Sequence, residues 1–200
     1  MNQGSSTWLQ WRTKGIGSSD APIIMGVSPW KTPHELFLEK TGMKLPGERS
    51  WAMQKGVDQE PAARAHYELM TGREMPAVTC EHEAFRFLRA SLDGWNTTER
   101  KALEIKCPGK KDHQLALEGV VPEKYFPQLQ HLILVSGARS LDYFSYRDRS
   151  GVIIEVMPDL EYIQRLLVQE FAFWGMVQSG LWIENLSFSS QVDKPRSILS

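Results

Sequence analysis

The sequence predicts a mixed α/β domain with a central sheet. Three observations carry this. Capped helix signals come first, strand-like alternation fills the middle, and the chain closes on helix, two strands, helix. TPHELFLEKTG marks a helix at both ends: Thr32 caps it, Pro33 sits in the first turn, Glu35 completes a capping box and Gly42 stops it. A second helical pattern covers about 52–70 and stops at Gly72, with Pro61 predicting a kink or a fresh start inside it. AVTCEH, FRFLRASLD and KALEIKC alternate like strands, separated by the turn-like GWNTTER. A helix over about 123–136 carries Pro127 and ends at Gly137. LDYFSYRD and GVIIEVM predict a hairpin around Arg149-Ser150-Gly151. A last helix starts after Pro158-Asp159 and stops at Gly180, with Ile163, Leu166, Leu167, Phe171 and Trp174 at helical spacing.

Two hundred residues suit one domain, with a core over about 8–160 and a C-terminal helix and tail over 159–200. At 42% hydrophobic the chain can bury a real core. Charge is balanced, 23 basic residues against 24 acidic, so overall charge does not announce a nucleic-acid partner. A local patch is enough for one, and the first 56 residues carry seven Lys/Arg against four acids. Two cysteines without a CxxC exclude a four-cysteine metal or iron–sulfur site within one chain. No apolar run approaches a membrane span, and MNQGSSTWLQW lacks a signal-peptide core, so the expectation is a cytoplasmic protein without membrane segments. The tail ENLSFSSQVDKPRSILS suits a flexible arm or a subunit contact.

SLDGWNTTERKALEIKCPG holds the chemistry. In a strand, Ala102, Glu104 and Lys106 share one face while Leu103, Ile105 and Cys107 share the other, which belongs to the core. Asp93 ends the preceding strand, and a hairpin through Gly94 brings it beside Glu104. Two converging carboxylates make a hard-oxygen site for magnesium or manganese, with the Ile105 carbonyl as a third ligand and Lys106 near enough to orient a water or steady a phosphate. A plainer interpretation fits the same spacing: Asp-Gly as a turn, and Glu-x-Lys as a solvated face with a salt bridge.

Further blocks add context. SLDG…LEIKCP resembles the core of the PD-(D/E)xK nucleases, and more closely the YqaJ and lambda-exonuclease branch, the alkaline exonucleases of phage recombination. WLQWRTKGIGSSDAPIIMGVSPWKTPHELFLEKTG resembles that branch's N-terminal block, GVDQEPAARAHY its glutamate-bearing helix, and YFPQLQHLILVSG its Q-x-Q helix. The blocks fall in the family's order from about Trp8 to Gly137. Leu92 stands where the signature has proline, a position that is not a ligand.

The resemblance implies a single PD-(D/E)xK-type nuclease domain. It implies Asp93, Glu104, the Ile105 carbonyl and Glu60 as metal ligands, Lys106 as catalytic lysine and Gln128 near the active centre. For Glu60 the plain alternative is an acid at a helix N-terminus, and for Gln128 an exposed helix residue. Gln130 faces elsewhere. Arg12 and Ser19 match residues around the 5′-terminal phosphate, and a guanidinium suits phosphate. GSSDAP also suits a helix cap at Ser19 or Asp20 ahead of a short helical run over 21–25. Trp30 is expected to anchor its loop, with base stacking the alternative. His113 is expected to be an ordinary polar residue, Cys107 an inert buried thiol, and Lys110-Lys111 either a DNA-backbone contact or a solvated loop.

The implied activity is Mg²⁺-dependent 5′→3′ digestion of one strand of linear duplex DNA to mononucleotides, with Mn²⁺ as substitute. It leaves 3′ single strands for recombination in a bacterial host, encoded by phage or prophage. A ring-shaped homotrimer and a single-strand annealing partner are implied with it. The alternatives are an endonuclease or single-strand nuclease of the superfamily, a non-catalytic DNA-end-binding module, and an interaction protein with an accidental motif. The superfamily branches that carry four cluster-binding cysteines are disfavoured by the two present here.

Overall fold

The structure is a computed structural model and describes residues 4–47 and 51–184, apart from the side chains of 52 and 53. Helix α1 (Ser6–Thr13), which the sequence reading did not register, is capped by the Ser5 hydroxyl and buries Trp8. Strand β1 (Ile16–Gly17) leads through a tight turn, Ser18–Asp20, into α2 (Ala21–Ile24). Helix α3 (Pro33–Lys40) shows the expected capping box, with Glu35 and Thr32 exchanging hydrogen bonds. Helix α4 (Trp51–Thr71) runs unbroken through Pro61, so no fresh start occurs there.

Strands β2 (Val78–Glu81) and β3 (Leu88–Leu92) pair antiparallel, and β1 joins β3 in parallel, giving a three-stranded sheet ordered β1-β3-β2. Asp93 separates β3 from β4 (Gly94–Asn96), which opens a second sheet ordered β4-β5-β6-β7. Its other strands are β5 (Lys101–Lys106), β6 (Ser140–Arg147) and β7 (Ser150–Val156). The expected central sheet is therefore two mixed sheets. The hairpin expected through Gly94 turns later: Gly94 pairs with Leu103, and residues 97–100 make the turn. Gly94 is required for close approach rather than for a turn, since a Cβ there would stand 2.6 Å from Met75 Cβ and 3.0 Å from Leu103 Cβ. The β6–β7 turn lies at Asp148-Arg149, both with positive φ, just ahead of the predicted place.

Between β5 and its parallel partner β6 lie α5 (Lys110–Leu117), a turn at Glu123–Tyr125, and α6 (Phe126–Ser136). Pro127 sits in the first turn of α6, where a missing N–H costs nothing, and Gly137 ends it with a positive φ. Helix α7 (Leu160–Ser179) is capped by Asp159 and ends at Gly180, as expected. Its buried side chains are Ile163, Leu166, Glu170, Phe173 and Met176, so Phe171 lies to the side, against Phe85 and Phe87.

The core has two parts. The larger holds Leu88, Leu92, Ala102, Leu129, Leu132, Tyr143 and Phe173, and the smaller holds Ala63, Tyr67, Met75, Leu103, Ile105 and Phe144. Ala102 belongs to the first and its neighbour Leu103 to the second, so β5 is covered on both faces. The Leu103 face lies in the core as expected, and the solvated face of the plainer interpretation is not found, since Glu104 is buried. Among the described residues no helix is long and apolar enough to cross a membrane.

Candidate active site

Glu104 and Lys106 project from the same face of β5, and Asp93 comes beside them from the junction of β3 and β4. The Asp93 carboxylate accepts the Ile105 N–H at 2.8 Å, which locks the junction to β5. The Lys106 ammonium lies 2.5 Å from Glu104 Oε1, and Gln128 Nε2, from the first turns of α6, donates to the same oxygen at 2.6 Å. Asp93 is 8% exposed and Glu104 3%. Gln128 is therefore buried rather than exposed. Gln130 does face elsewhere: it bridges the Met157 carbonyl and the Asp159 N–H at the foot of α7.

Burial raises the Asp93 pKa well above the usual carboxylate range, and the charges of Glu104 and Glu60 add to it. Burial raises Glu104 as well, while the Lys106 ammonium opposes that rise. Burial disfavours the Lys106 cation, but Glu104 and Asp93 outweigh this and lift its pKa above the ordinary value, keeping it charged. Two buried acids thus share one ammonium.

Glu60 lies in the middle of α4, not at a helix N-terminus, and pairs with Arg64 at 3.2 Å one turn on. Arg64 also donates to the carbonyls of Met75 and Asp93. It ties α4 to the Asp93 junction and was missed in the sequence. Its only local signal is the Glu60–Arg64 spacing. Tyr125, likewise missed, lies under the Lys106 ammonium at 5.5 Å, and burial pushes its hydroxyl up to about 12. Among the described residues no three His, Cys, Asp or Glu side chains stand close enough together to hold a metal ion as they lie.

Arg12 and Ser19 come together between α1 and the turn ahead of α2. An Arg12 N–H donates to the Ser19 hydroxyl, and the guanidinium lies 3.8 Å from Asp20 and 4.8 Å from the centre of the Trp8 ring. Ser19 is exposed and Asp20 buried. Neither caps α2. The Asp20 carboxylate instead accepts the Gly17 N–H at 2.9 Å and the Lys40 ammonium at 2.7 Å.

The remaining expectations divide. Trp30 does not anchor its loop in the core, since 66% of it is exposed. Lys110 and Lys111 form the first turn of α5 and are exposed, so they lie on a helix rather than a loop. His113 is buried and bonded to Ser145 through Nδ1 at 2.8 Å, and burial lowers its pKa. Cys107 packs beside the smaller core, and burial pushes its thiol up to about 11, which leaves it protonated and inert. The tail beyond residue 184 lies outside the described residues.

Comparison with known proteins meets this geometry. An alkaline exonuclease, LHK-Exo from Laribacter hongkongensis, superposes with a TM-score of 0.77 at 24% identity, over 88% of this chain and 94% of that one. A phage-related exonuclease from Haemophilus somnus 129PT superposes with a TM-score of 0.65 at 12% identity, over 82% and 94%. At these identities the likeness concerns the fold alone, mixed sheets flanked by helices. The uncharacterized protein YqaJ of Bacillus subtilis (strain 168) is 32% identical over 174 residues, 84% of this chain and 54% of that protein. The uncharacterized protein R354 of Acanthamoeba polyphaga mimivirus is 24% identical over 155 residues, 70% of this chain and 28% of that protein. The chain thus spans about half or less of these curated relatives. The YqaJ-like viral recombinase domain matches residues 7–139, which include Arg12, Glu60, Asp93, Glu104, Lys106 and Gln128, and the chain belongs to that family.

Proposed function

We propose that the protein is a metal-dependent exonuclease that digests one strand of linear duplex DNA from its 5′ end. One observation carries the proposal: two buried carboxylates, Asp93 and Glu104, stand with a single ammonium, Lys106, and Gln128 donates to the Glu104 oxygen that Lys106 meets. Two acids against one cation leave a site short of positive charge. Hard oxygens with that deficit would suit Mg²⁺, with Mn²⁺ as substitute, and Glu60 and the Ile105 carbonyl would join Asp93 and Glu104 as donors by closing in on the ion, since the acids do not converge as they lie. When bound, such an ion lowers the pKa of an attacking water and offsets charge on the phosphoryl oxygens.

The chain's own groups do the rest. Gln128 fixes Glu104, so that the carboxylate keeps one orientation through the reaction. Lys106 stays protonated and presents N–H donors to the attacking water or to a phosphate oxygen. Arg12 and Ser19 grip the 5′-terminal phosphate. Each cut that leaves a 5′-phosphate regenerates the group that Arg12 holds, which favours movement in one direction. The products are mononucleotides and a 3′ single strand suited to recombination. The likeness to LHK-Exo, one of whose solved structures is a complex with dAMP, supports a nucleotide product. A ring-shaped homotrimer and a single-strand annealing partner belong to the same proposal.

The test is a nuclease assay on linear duplex, with and without a 5′-phosphate, in Mg²⁺ and in EDTA, for wild type and Lys106→Ala. Metal-dependent loss of the 5′-phosphorylated strand, absent in Lys106→Ala, is the expected result. Equal cleavage of closed circular duplex would make it an endonuclease. Binding without cleavage in Mg²⁺ would make it an end-binding module.

A further inference from the structure

Trp30 is a large apolar side chain held in water by a rigid loop. It is 66% exposed. Pro29 precedes it, and Thr32 and Pro33 open the capped helix α3 just after it. Lys31 is pinned to Glu39 at 2.6 Å, and the Trp30 N–H donates to the Ser28 hydroxyl. The loop therefore has little freedom to fold the indole inward. A fixed, exposed tryptophan is poor for stability and good for contact with a flat partner.

Its neighbours lead to the active site. The Lys124 ammonium lies 4.9 Å from the centre of the Trp30 ring and 5.2 Å from that of Tyr125. Lys106 lies 5.5 Å from the same Tyr125 ring. The chain of contacts runs Lys106, Tyr125, Lys124, Trp30, and it places the indole within roughly five nucleotide rises of the Lys106 ammonium. Lys124 is itself held by Asp112 at 2.7 Å, so the cation between the two rings is fixed in place. Alternating aromatic faces and ammonium groups are what a single strand uses: rings take the bases and cations take the phosphates.

We propose that Trp30 is a base-stacking platform for the DNA strand that enters or leaves the active site, with Lys124 as the phosphate contact beside it. The platform rests on the nuclease proposal only for its choice of DNA as ligand. Stacking on an indole is tolerant of sequence, which suits an enzyme that must accept every base in turn. It holds the terminal nucleotides unpaired and in line with Lys106 while Arg12 and Ser19 hold the 5′ end.

The experiment uses the full chain in EDTA, so that DNA is bound and not cut. Duplexes carry 2-aminopurine singly at each of the first several nucleotides from the 5′ end, and fluorescence and affinity are read for wild type, Trp30→Ala and Trp30→Phe. Wild type is expected to quench the probe at one or two adjacent positions. Trp30→Ala loses that quench and binds about tenfold more weakly. Trp30→Phe keeps most of both, while all three melt at the same temperature. Quenching that persists in Trp30→Ala, or is lost equally in Trp30→Phe, overturns the platform, and so does a wild type that quenches at no position. The same preparations are then assayed in Mg²⁺. A Trp30-dependent quench without hydrolysis sinks the nuclease proposal and leaves the platform standing. Hydrolysis with a Trp30-independent quench does the reverse.

Discussion

At the residue scale the site stores like charge. Asp93 and Glu104 are buried together with Glu60 in range, and one ammonium does not balance them. Asp93→Asn removes one of the repelling charges and keeps an oxygen for the Ile105 N–H. In chelator the variant should melt higher than wild type by about 2–4 °C for each kcal/mol relieved, while its hydrolysis is abolished. A lower Tm in EDTA would contradict the charge-deficit argument. Gly94 makes a separate point. Its missing Cβ is the space that Met75 and Leu103 occupy. Gly94→Ala should cost about 1–3 kcal/mol by overpacking and shift Asp93 at the same time. Thermal melting and turnover should fall together. Loss of neither would mean that the junction yields more easily than this packing implies.

At the element scale α6 links the two halves of the argument. It carries Gln128 to Glu104, and one turn later it places His131 in the core. His131 Nδ1 meets Glu170 of α7 at 2.6 Å, and Nε2 meets the Arg89 carbonyl of β3 at 2.9 Å. Two acceptors around the ring favour its doubly protonated form. Burial works against that charge, but Glu170 and its hydrogen bond prevail and raise the His131 pKa. A raised folded-state pKa stabilises fully below the unfolded value of 6.5 and loses that contribution as pH climbs through the folded value. Wild-type Tm should therefore decline with pH from near neutrality upward, more steeply than that of His131→Ala. The variant should also lose about 3–5 kcal/mol at pH 6, because Glu170 is left buried without its partner. Parallel Tm–pH curves for the two proteins would refute the ion pair.

At the scale of the whole molecule, the exposed apolar side chains bear on assembly. Leu45, Leu69, Leu160 and Val168 stand mostly in solvent. The proposed ring would cover some of them, and sedimentation equilibrium at working concentration should report three copies of the 22.8 kDa chain. A monomer would remove the ring from the proposal. The two sheets meet at Asp93, so any motion of the smaller sheet against the larger acts directly on the site. Arg64 braces that seam from α4 through the Asp93 carbonyl.

Local chemistry alone was enough for the capped helices: Thr32 and Glu35 on α3, and Asp159 and Gly180 on α7, act within a few residues of themselves. The strand period likewise put Glu104 and Lys106 on one face. The blocks around Trp8 to Gly137 were enough to recognise the family. Tertiary structure decided what depends on distant partners. Whether Gly94 turns or packs is set by Met75 and Leu103. Whether β5 has one buried face or two is set by α4 and α6 together. Whether Glu60 stands at a helix N-terminus or mid-helix beside Arg64 is set by how far α4 extends. Arg64 entered the site because its reach spans 29 residues of sequence to the Asp93 carbonyl. Trp30 remained in water because two prolines and the Lys31–Glu39 pair hold its loop away from the core. A sequence pattern records periodicity and end signals, which are local. Burial and convergence are properties of the packed chain.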